Sequence, residues 1–553
     1  MQDDSQVLYF NGTILTVDEE FSIPEAVLTA GDRVVAVGSF AALRKQASPN
    51  VRLRDLGGLT MIPGFIDPHG HFPDSGFLAL FRVDLAPPPI GDCSSMTAVF
   101  DRLSDRLRST PAGDWVIGAR LDPDGLAEGR FPTRDELDRL SDRHPVWIGH
   151  FTGHGGVANS AALAFRGVDE TTPNPPDGVF GRTPDGGRLN GLLTGPTAMG
   201  ALGATEFMMN ADGFARAMDV ASQEYLNEGV TLAQNAYATG PLLEWFRELS
   251  EERLDGVERR DWAVHVPVVV LPCGNLGRLP TDGEFGRSRG KVRGVRFGPR
   301  KFFADGSLHV QTACLSRPYH RPLNGDPGFR CEPAITVDGM VGRMMPHHQE
   351  GSQLHVHVNG DRAADILLDA FARILDRHPR QDHRHTLIHA QTLRSDQLDR
   401  IAELGLSVSF FSAHIHYWGE YHRQVSLGPE RAETISPARS AANRRIRFTI
   451  HNDTTVTPMR PLHLMWCAAS RRTTSGRVLG SNERISPKEA LIAHTRDAAW
   501  QVFEERECGT IETGKRADLA ILSANPLVDA ESIREIRVVE TVLGGTAISN
   551  SPT

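Results

Sequence analysis

The chain has 553 residues, of which 40% are hydrophobic and 23% are charged, proportions typical of a globular protein too long for one simple core. Its formal net charge of −10 argues against nucleic acid as a partner, because phosphate contacts need basic patches. Scattered cysteines, an acidic N-terminus without a signal-peptide core and the lack of a long apolar run predict a cytoplasmic protein that does not bind membranes.

Both ends of the chain have the sequence pattern of short β-strands. Short apolar runs separated by turn residues fill Gln6–Val37, and similar runs lie at Ala517–Ser523 and Val538–Leu543. Strands at the two ends can pair with each other. We therefore predict a small β-sandwich domain built from residues 1–58 and 505–553.

Between the ends, apolar strand-like runs alternate with amphipathic helical patterns. The strand candidates are Met61–Asp67, Thr231–Asn235, Val295–Ala304, Gln353–Val358, Arg384–His389, Leu406–Phe411 and Arg447–His451. Helices are predicted at Gly213–Glu228, Asp361–Asp376 and Ser395–Leu404. This alternation predicts an α/β fold with a parallel sheet, closed as a TIM-like (β/α)8 barrel over residues 59–504. Because such a barrel takes about 250 residues, we also predict an insertion, at about residues 121–200, where Pro and Gly are frequent.

The first barrel strand ends in the pair His69-Gly70-His71. Residues at i and i+2 of a strand point to the same side. Two neighbouring imidazoles can share a transition-metal ion such as zinc. Alone, this pair is a weak signal, since most histidines are core or surface residues.

Four more polar groups lie where later strand candidates end, which is where barrel active sites are built. They are Lys301, His357, His389 and Asp453. Any one of them could be a hydrogen-bonded structural residue. Together with His69 and His71, they predict a metal centre at the barrel mouth.

Several local motifs agree with this order. They include PGFIDPHGH, FTGHGGVANSAAL, KFFADGS, VHVNGDRA, IHAQ, HIHYWGEYHR, IHND and GTIETGKRADLAIL. With these motifs the chain resembles the amidohydrolase superfamily, in the family 3 branch that includes N-substituted formamide deformylases. The resemblance covers nearly the whole chain and implies a metal-dependent hydrolase of carbon–nitrogen bonds other than peptide bonds.

The resemblance also implies a role for each predicted ligand. His69, His71 and Asp453 would hold one ion, His357 and His389 would hold a second, and a carboxylated Lys301 would bridge them. A lysine ammonium cannot ligate a metal, but its carbamate supplies an anionic oxygen. Binding of one ion, with Lys301 in an ordinary salt bridge, is the alternative.

The predicted chemistry follows from the charges. A metal lowers the pKa of bound water to about 7. Asp453 would take a proton from that water and pass it to the leaving amine. The second ion or a nearby histidine would stabilise the oxyanion.

Other residues have both a functional and a structural interpretation. His154 and His414 occupy places where this branch has histidines facing the substrate, and His451 is expected behind the ligands. An aromatic stretch, Phe410, Phe411, Tyr417 and Trp418, follows a strand candidate. It could pack in the core or form an apolar wall for an aryl or alkyl substituent.

The substrate is less well defined than the ligands. The chain departs from its relatives at Thr194, His309 and Glu420. We expect a small-molecule substrate, an N-substituted formamide or N-acyl amine, one or two divalent ions with zinc preferred, and a homodimer. A lactone or ester hydrolase and a metal-dependent decarboxylase or isomerase are the alternatives.

Overall fold

A computed structural model describes residues 6–175, 178–202, 210–250, 265–274, 294–323 and 325–549. Its strands, in chain order, are β1 (Gln6–Phe10), β2 (Thr13–Ile14), β3 (Ala26–Ala30), β4 (Arg33–Gly38), β5 (Arg52–Asp55), β6 (Thr60–Pro63), β7 (Phe65–Ile66), β8 (Val83–Asp84), β9 (Val116–Leu121), β10 (Val146–His150), β11 (Gly155–Ala158), β12 (Val179–Arg182), β13 (Leu189–Thr194), β14 (Val230–Ala238), β15 (Val268–Pro272), β16 (Val295–Phe297), β17 (Arg300–Phe303), β18 (Leu354–Val358), β19 (Thr386–His389), β20 (Ser407–Phe410), β21 (Phe448–Ile450), β22 (Leu519–Leu522), β23 (Val538–Leu543) and β24 (Thr546–Ser549).

The helices alternate with these strands through most of the chain. They are α1 (Phe40–Gln46), α2 (Asp74–Phe81), α3 (Met96–Ser109), α4 (Arg134–Leu140), α5 (Ser160–Phe165), α6 (Pro196–Leu202), α7 (Ala211–Asn227), α8 (Gly240–Ser250), α9 (Val337–Gln349), α10 (Asp361–Arg377), α11 (Ser395–Glu403), α12 (Ala413–Tyr421), α13 (Gly428–Ala432), α14 (Ala438–Asn443), α15 (Pro461–Ser470), α16 (Pro487–His494) and α17 (Arg496–Gln501). The predicted mixed α/β architecture is confirmed. Within the described ranges, we find no helix with the length and apolar character needed to cross a bilayer.

Two arcs of parallel strands occupy the middle of the molecule. One arc has the order β7-β14-β15-β16 and the other has β17-β18-β19-β20-β21. The predicted strand at Val295–Ala304 is in fact two strands, interrupted at Gly298 and Pro299. Proline has no backbone N–H, so it cannot continue the ladder. The ladder resumes at Arg300, and β16 and β17 therefore belong to different arcs.

The ends of β7 and β21 approach each other beyond their last paired residues. The backbone N–H of Asp453 donates to His69 O at 3.1 Å, and that of His71 donates to Thr454 O at 3.1 Å. These bonds join the two arcs at their carboxyl ends. Closure of the sheet into one continuous barrel remains a prediction.

Strands from both ends of the chain pair in one sheet, as the sequence suggested. Its order is β2-β6-β22-β23-β24, and β6 runs antiparallel to β22. A second sheet, β4-β3-β1-β5, comes from the N-terminal residues alone. Tyr9, Val27, Met61, Leu519 and Val542 share one hydrophobic cluster between these sheets. The predicted sandwich and its domain boundaries remain predictions.

A separate sheet lies between β7 and β14 along the chain. Its order is β12-β13-β11-β10-β9-β8, and it begins at Val83, before the predicted start of the insertion near Leu121. Its own hydrophobic clusters include Leu121, Val146 and Val157. This sheet extends toward the parallel arcs through the turn between β10 and β11. The insertion as a domain remains a prediction.

The helices cover the parallel strands through apolar faces. In α10, for example, Ala364, Leu367, Leu368 and Phe371 are buried, at the spacing of one helical face. The helices predicted at Gly213–Glu228, Asp361–Asp376 and Ser395–Leu404 are confirmed as α7, α10 and α11 within two residues at each end. Because the helices pack on the outside of the parallel strands, the carboxyl ends of the strands are available to polar residues.

Candidate metal centre

Five of the six predicted ligands lie at or just beyond the carboxyl ends of parallel strands, and Lys301 is the second residue of its strand. His69 and His71 follow β7, Lys301 lies in β17, and Asp453 follows β21. His357 and His389 are the penultimate and last residues of β18 and β19 respectively. Strands that run parallel bring these ends to one edge, so residues far apart in sequence meet there.

The first three predicted ligands converge on one point. His71 Nε2 lies 3.1 Å from Asp453 Oδ1, and His69 Nε2 lies 3.7 Å from the same oxygen. Gly70 allows this approach, since a Cβ at this position would lie 2.1 Å from Asp67 Oδ2. His69, His71 and Asp453 therefore form one group of metal-ligating atoms.

A second group shares Asp453 and contains His389 and His451. His451 Nε2 lies 3.1 Å from His389 Nδ1. The other nitrogen of His451 is 2.9 Å from Ser409 Oγ, and Thr449 Oγ1 donates to that hydroxyl. This buried polar chain fixes the orientation of the His451 ring. The sequence predicts that His451 lies outside the ligand set, whereas the structure groups it with His389 and Asp453.

Lys301 is buried beside both groups. Its Nζ lies 3.3 Å from His69 Nε2 and 5.1 Å from the centre of the Phe303 ring. Burial lowers the pKa of Lys301 to about 7, although the charge of Asp453 opposes this shift. A neutral amine is the form that can react with CO₂ to give a carbamate.

The electrostatics favour a cation between these groups. Burial alone raises the pKa of Asp453, but the hydrogen bond from His71 and the charges of His71, His451 and Lys301 lower it to about 2. Burial also lowers the pKa of His451 to about 3 and that of His69 well below its usual value. Asp453 is thus an ionised carboxylate, and His69 and His451 are neutral imidazoles, which are the forms that ligate metals.

The spacing of the donor atoms tests whether an ion fits. Ligands about 2.0–2.1 Å from a tetrahedral zinc ion lie about 3.3–3.4 Å apart. The distances from Asp453 Oδ1 to His71 Nε2 and to His69 Nε2, 3.1 and 3.7 Å, bracket this value. The residues therefore suit a transition-metal ion.

His357 is near these groups but is engaged elsewhere. Its ring centre lies 4.6 Å from that of His389, while its Nε2 is 3.0 Å from Gly306 O and 3.1 Å from Asn359 Nδ2. Among the described residues, the convergent groups do not include His357. The role of His357 as a ligand beside His389 remains a prediction, and His451 is a further candidate there.

The two predicted substrate-facing histidines flank the centre. His154 lies in the turn between β10 and β11, with its ring centre 5.9 Å from that of His357. His414 lies at the start of α12. The centre of its ring is 4.6 Å from that of Phe411, and the Phe411 ring centre is 5.3 Å from that of His451. Burial lowers the pKa of both histidines, so each imidazole stays neutral near pH 7.

The predicted aromatic wall divides into two parts. Phe410 is 1% exposed, and its ring contacts Phe448. Alternate residues of a strand face opposite sides, and the neighbouring Ser409 already faces His451. Phe410 is therefore a core residue and does not belong to the wall, whereas Phe411 contacts His451 directly.

Tyr417 and Trp418 line a cavity of about 170 Å³. Phe151 stacks on Trp418 at 4.7 Å with nearly parallel planes, and Trp418 Nε1 donates to Asp122 Oδ2 at 3.1 Å. Val456 also lines the cavity, and its backbone N–H donates to Asp453 O at 2.8 Å. A residue of the cavity wall is therefore joined to Asp453, one of the metal-ligating residues, by a backbone hydrogen bond.

Two residues near the centre were not predicted from the sequence. Asp305 accepts hydrogen bonds from the backbone N–H groups of Cys314, Asn359 and Gly360, which holds the loops after β17 and β18 together. His422 lies beside His414. The spacing of residues 414, 418 and 422, typical of one helical face, was the available signal for His422.

Comparisons with known proteins agree with this geometry. A sequence model of the amidohydrolase family matches residues 52–548. An N-substituted formamide deformylase of Arthrobacter pascens is 28% identical over 98% of this chain and 97% of its own length. The protein LONG AFTER FAR-RED 3 of Arabidopsis thaliana is 27% identical over 98% of this chain and 91% of its own length.

A solved structure shares the fold. An uncharacterized metal-dependent hydrolase from Pyrococcus horikoshii OT3 superposes with a TM-score of 0.73. It is 22% identical, and the match covers 96% of this chain and 99% of that one.

Proposed function

Because this chain belongs to the amidohydrolase family and is a hydrolase of carbon–nitrogen bonds, we propose that it cleaves a non-peptide amide with an apolar or aryl substituent. The substrate class is an N-substituted formamide or a related N-acyl amine. The observation that carries the proposal is Asp453, an ionised carboxylate shared by two groups of histidines. The similarity to an N-substituted formamide deformylase supports the formamide class.

We propose His69, His71 and Asp453 as ligands of one ion, with His389 and His451 beside them as candidates for a second. Lys301, as its carbamate, would join the two sets. Zinc fits the imidazole and carboxylate donors. When bound, such an ion supplies Lewis acidity, which makes water nucleophilic near neutral pH and polarises the amide carbonyl.

Asp453 would transfer a proton from the attacking water to the leaving nitrogen. Water adds to the carbonyl carbon, the carbon–nitrogen bond breaks, and one proton must move from the water to the leaving nitrogen. The Asp453 carboxylate accepts that proton and then donates it, which is the general acid–base step of amide cleavage. Because its pKa in the folded protein is about 2, the carboxylate is ionised near neutral pH, which is the form that a proton acceptor requires.

His154 and His414 would act on the substrate side. A neutral imidazole can donate an N–H to the carbonyl oxygen as negative charge develops there. The aromatic side chains of Phe411, Tyr417 and Trp418 would hold the substituent on nitrogen. A cavity of about 150 Å³ can accept a benzene ring, so the observed 170 Å³ suits one aromatic ring.

A substrate panel tests the proposed function. It contains N-benzyl and N-methyl formamides, the matching acetamides, the matching esters and a β-keto acid, with release of amine, acid or CO₂ as the readout. We expect turnover of amides, with the N-benzyl compounds preferred, and its loss in His71→Gln. Ester or β-keto acid turnover without any amide turnover would contradict the proposal. Assembly into a homodimer remains a prediction that light scattering can test.

A further inference from the structure

A third group of histidines lies outside the candidate metal centre. His309, His414 and His422 are all buried, and one nitrogen from each lies within 4.8 Å of the other two. Their rings are in contact, with centres 4.9 Å apart for His309 and His422 and 5.4 Å apart for His309 and His414. We propose that these three imidazoles bind an additional divalent transition-metal ion, separate from the centre at Asp453.

The distance between donor atoms supports a shared ion. His422 Nε2 lies 3.3 Å from His414 Nδ1, and two nitrogens on a tetrahedral zinc ion lie about 3.3–3.4 Å apart. The two nitrogens are therefore as far apart as two ligands of one ion.

An unpaired nitrogen supplies the second observation. His309 Nε2 is buried without a hydrogen-bond partner. Ser307 Oγ lies 3.5 Å from His309 Nδ1, which leaves Nε2 as the free nitrogen of that ring. A buried polar atom without a partner is costly, and coordination of an ion would satisfy it. Burial keeps all three imidazoles neutral, with lone pairs available, by lowering the pKa of each.

The surroundings can neutralise a bound cation. Trp418 contacts His309 and His414 with ring centres 5.1 Å away and donates to Asp122. Tyr421 stacks on His309 at 5.2 Å and bonds to Asp124. Two carboxylates therefore lie one side chain beyond the three histidines. An all-imidazole ligand set suits zinc, copper or nickel and disfavours magnesium or calcium.

The test counts metal ions in variants that leave the candidate centre intact. Chelator-treated protein is dialysed to equilibrium against zinc chloride and analysed by plasma mass spectrometry. His309→Gln and His422→Gln should each bind one zinc equivalent fewer than the wild type. The control, His494→Gln, removes another buried histidine with unpaired nitrogens that belongs to none of the three groups, and it should match the wild type.

A second variant separates the two sites. His71→Gln should lose zinc from the candidate centre and keep the equivalent bound by the three histidines, so that its combination with His422→Gln loses both. Folded His309→Gln and His422→Gln proteins with the zinc content of the wild type would overturn the proposal. If these variants do not fold, anomalous diffraction at the zinc edge from wild-type crystals decides. A peak among the three imidazoles supports the site, and its absence overturns the site.

Discussion

Replacement of Trp418 by alanine tests the proposed contact with the substituent on nitrogen. A tryptophan side chain buries about 150–250 Å², but Phe151 already covers one face of this indole. An apolar contact in a substrate pocket is worth about 1–3 kcal/mol, and we take about 2 kcal/mol for the indole. We therefore expect Trp418→Ala to lower kcat/KM for N-benzyl formamide by about 30-fold.

The same substitution should change kcat/KM for N-methyl formamide by less than about threefold, because that substrate has too little apolar surface to reach the indole. The assay is amine release from both substrates under identical conditions. Trp418→Phe keeps an aromatic face and should retain most of the preference. Phe410→Leu changes a core residue and should affect the two substrates equally. Equal losses for both substrates in Trp418→Ala would refute the reasoning, and the pocket wall would then have to be sought between residues 121 and 200.

The remaining predictions concern individual side chains. Asp453→Asn, assayed with metal supplied in excess, should lose about 10²–10⁴ in kcat; near-normal kcat in a metal-replete variant would assign the proton transfer elsewhere. Lys301→Ala should lose metal and activity, with partial rescue by short carboxylates, whereas full activity without them would exclude a carbamate bridge. Burial raises the pKa of Asp122 from 3.8 to about 6, so its folded state favours the protonated form and its contribution to stability falls as pH rises from about 4 to about 6. Asp122→Asn should therefore raise Tm relative to the wild type at pH 7 and not at pH 4, and equal changes at both pH values would contradict this.

The sequence was sufficient to group the residues whose positions depend only on where the strands end. His69, His71 and Asp453 converge in the structure because parallel strands place their carboxyl ends at one edge. The periodicity of α7, α10 and α11 was equally readable, since one apolar face determines each helix.

What the sequence could not specify are contacts between side chains of different elements. His357 and His451 both lie near His389, and they differ in their other partners, Gly306 O for His357 and Ser409 Oγ for His451. The strand pattern at Leu406–Phe411 likewise left open which phenylalanine faces His451, because both sides of the strand are buried. His309 and His422 come from separate segments, so their approach to His414 depends on tertiary packing.

Metal analysis combined with activity tests the central claim most directly. The purified protein should contain one or two equivalents of a transition metal at the candidate metal centre, zinc by expectation, and exhaustive chelation should abolish amide hydrolysis. Readdition of zinc should restore hydrolysis in the wild type and not in His71→Gln, because the vacant imidazole position weakens the remaining group. Full activity in a verified metal-free sample would contradict the account.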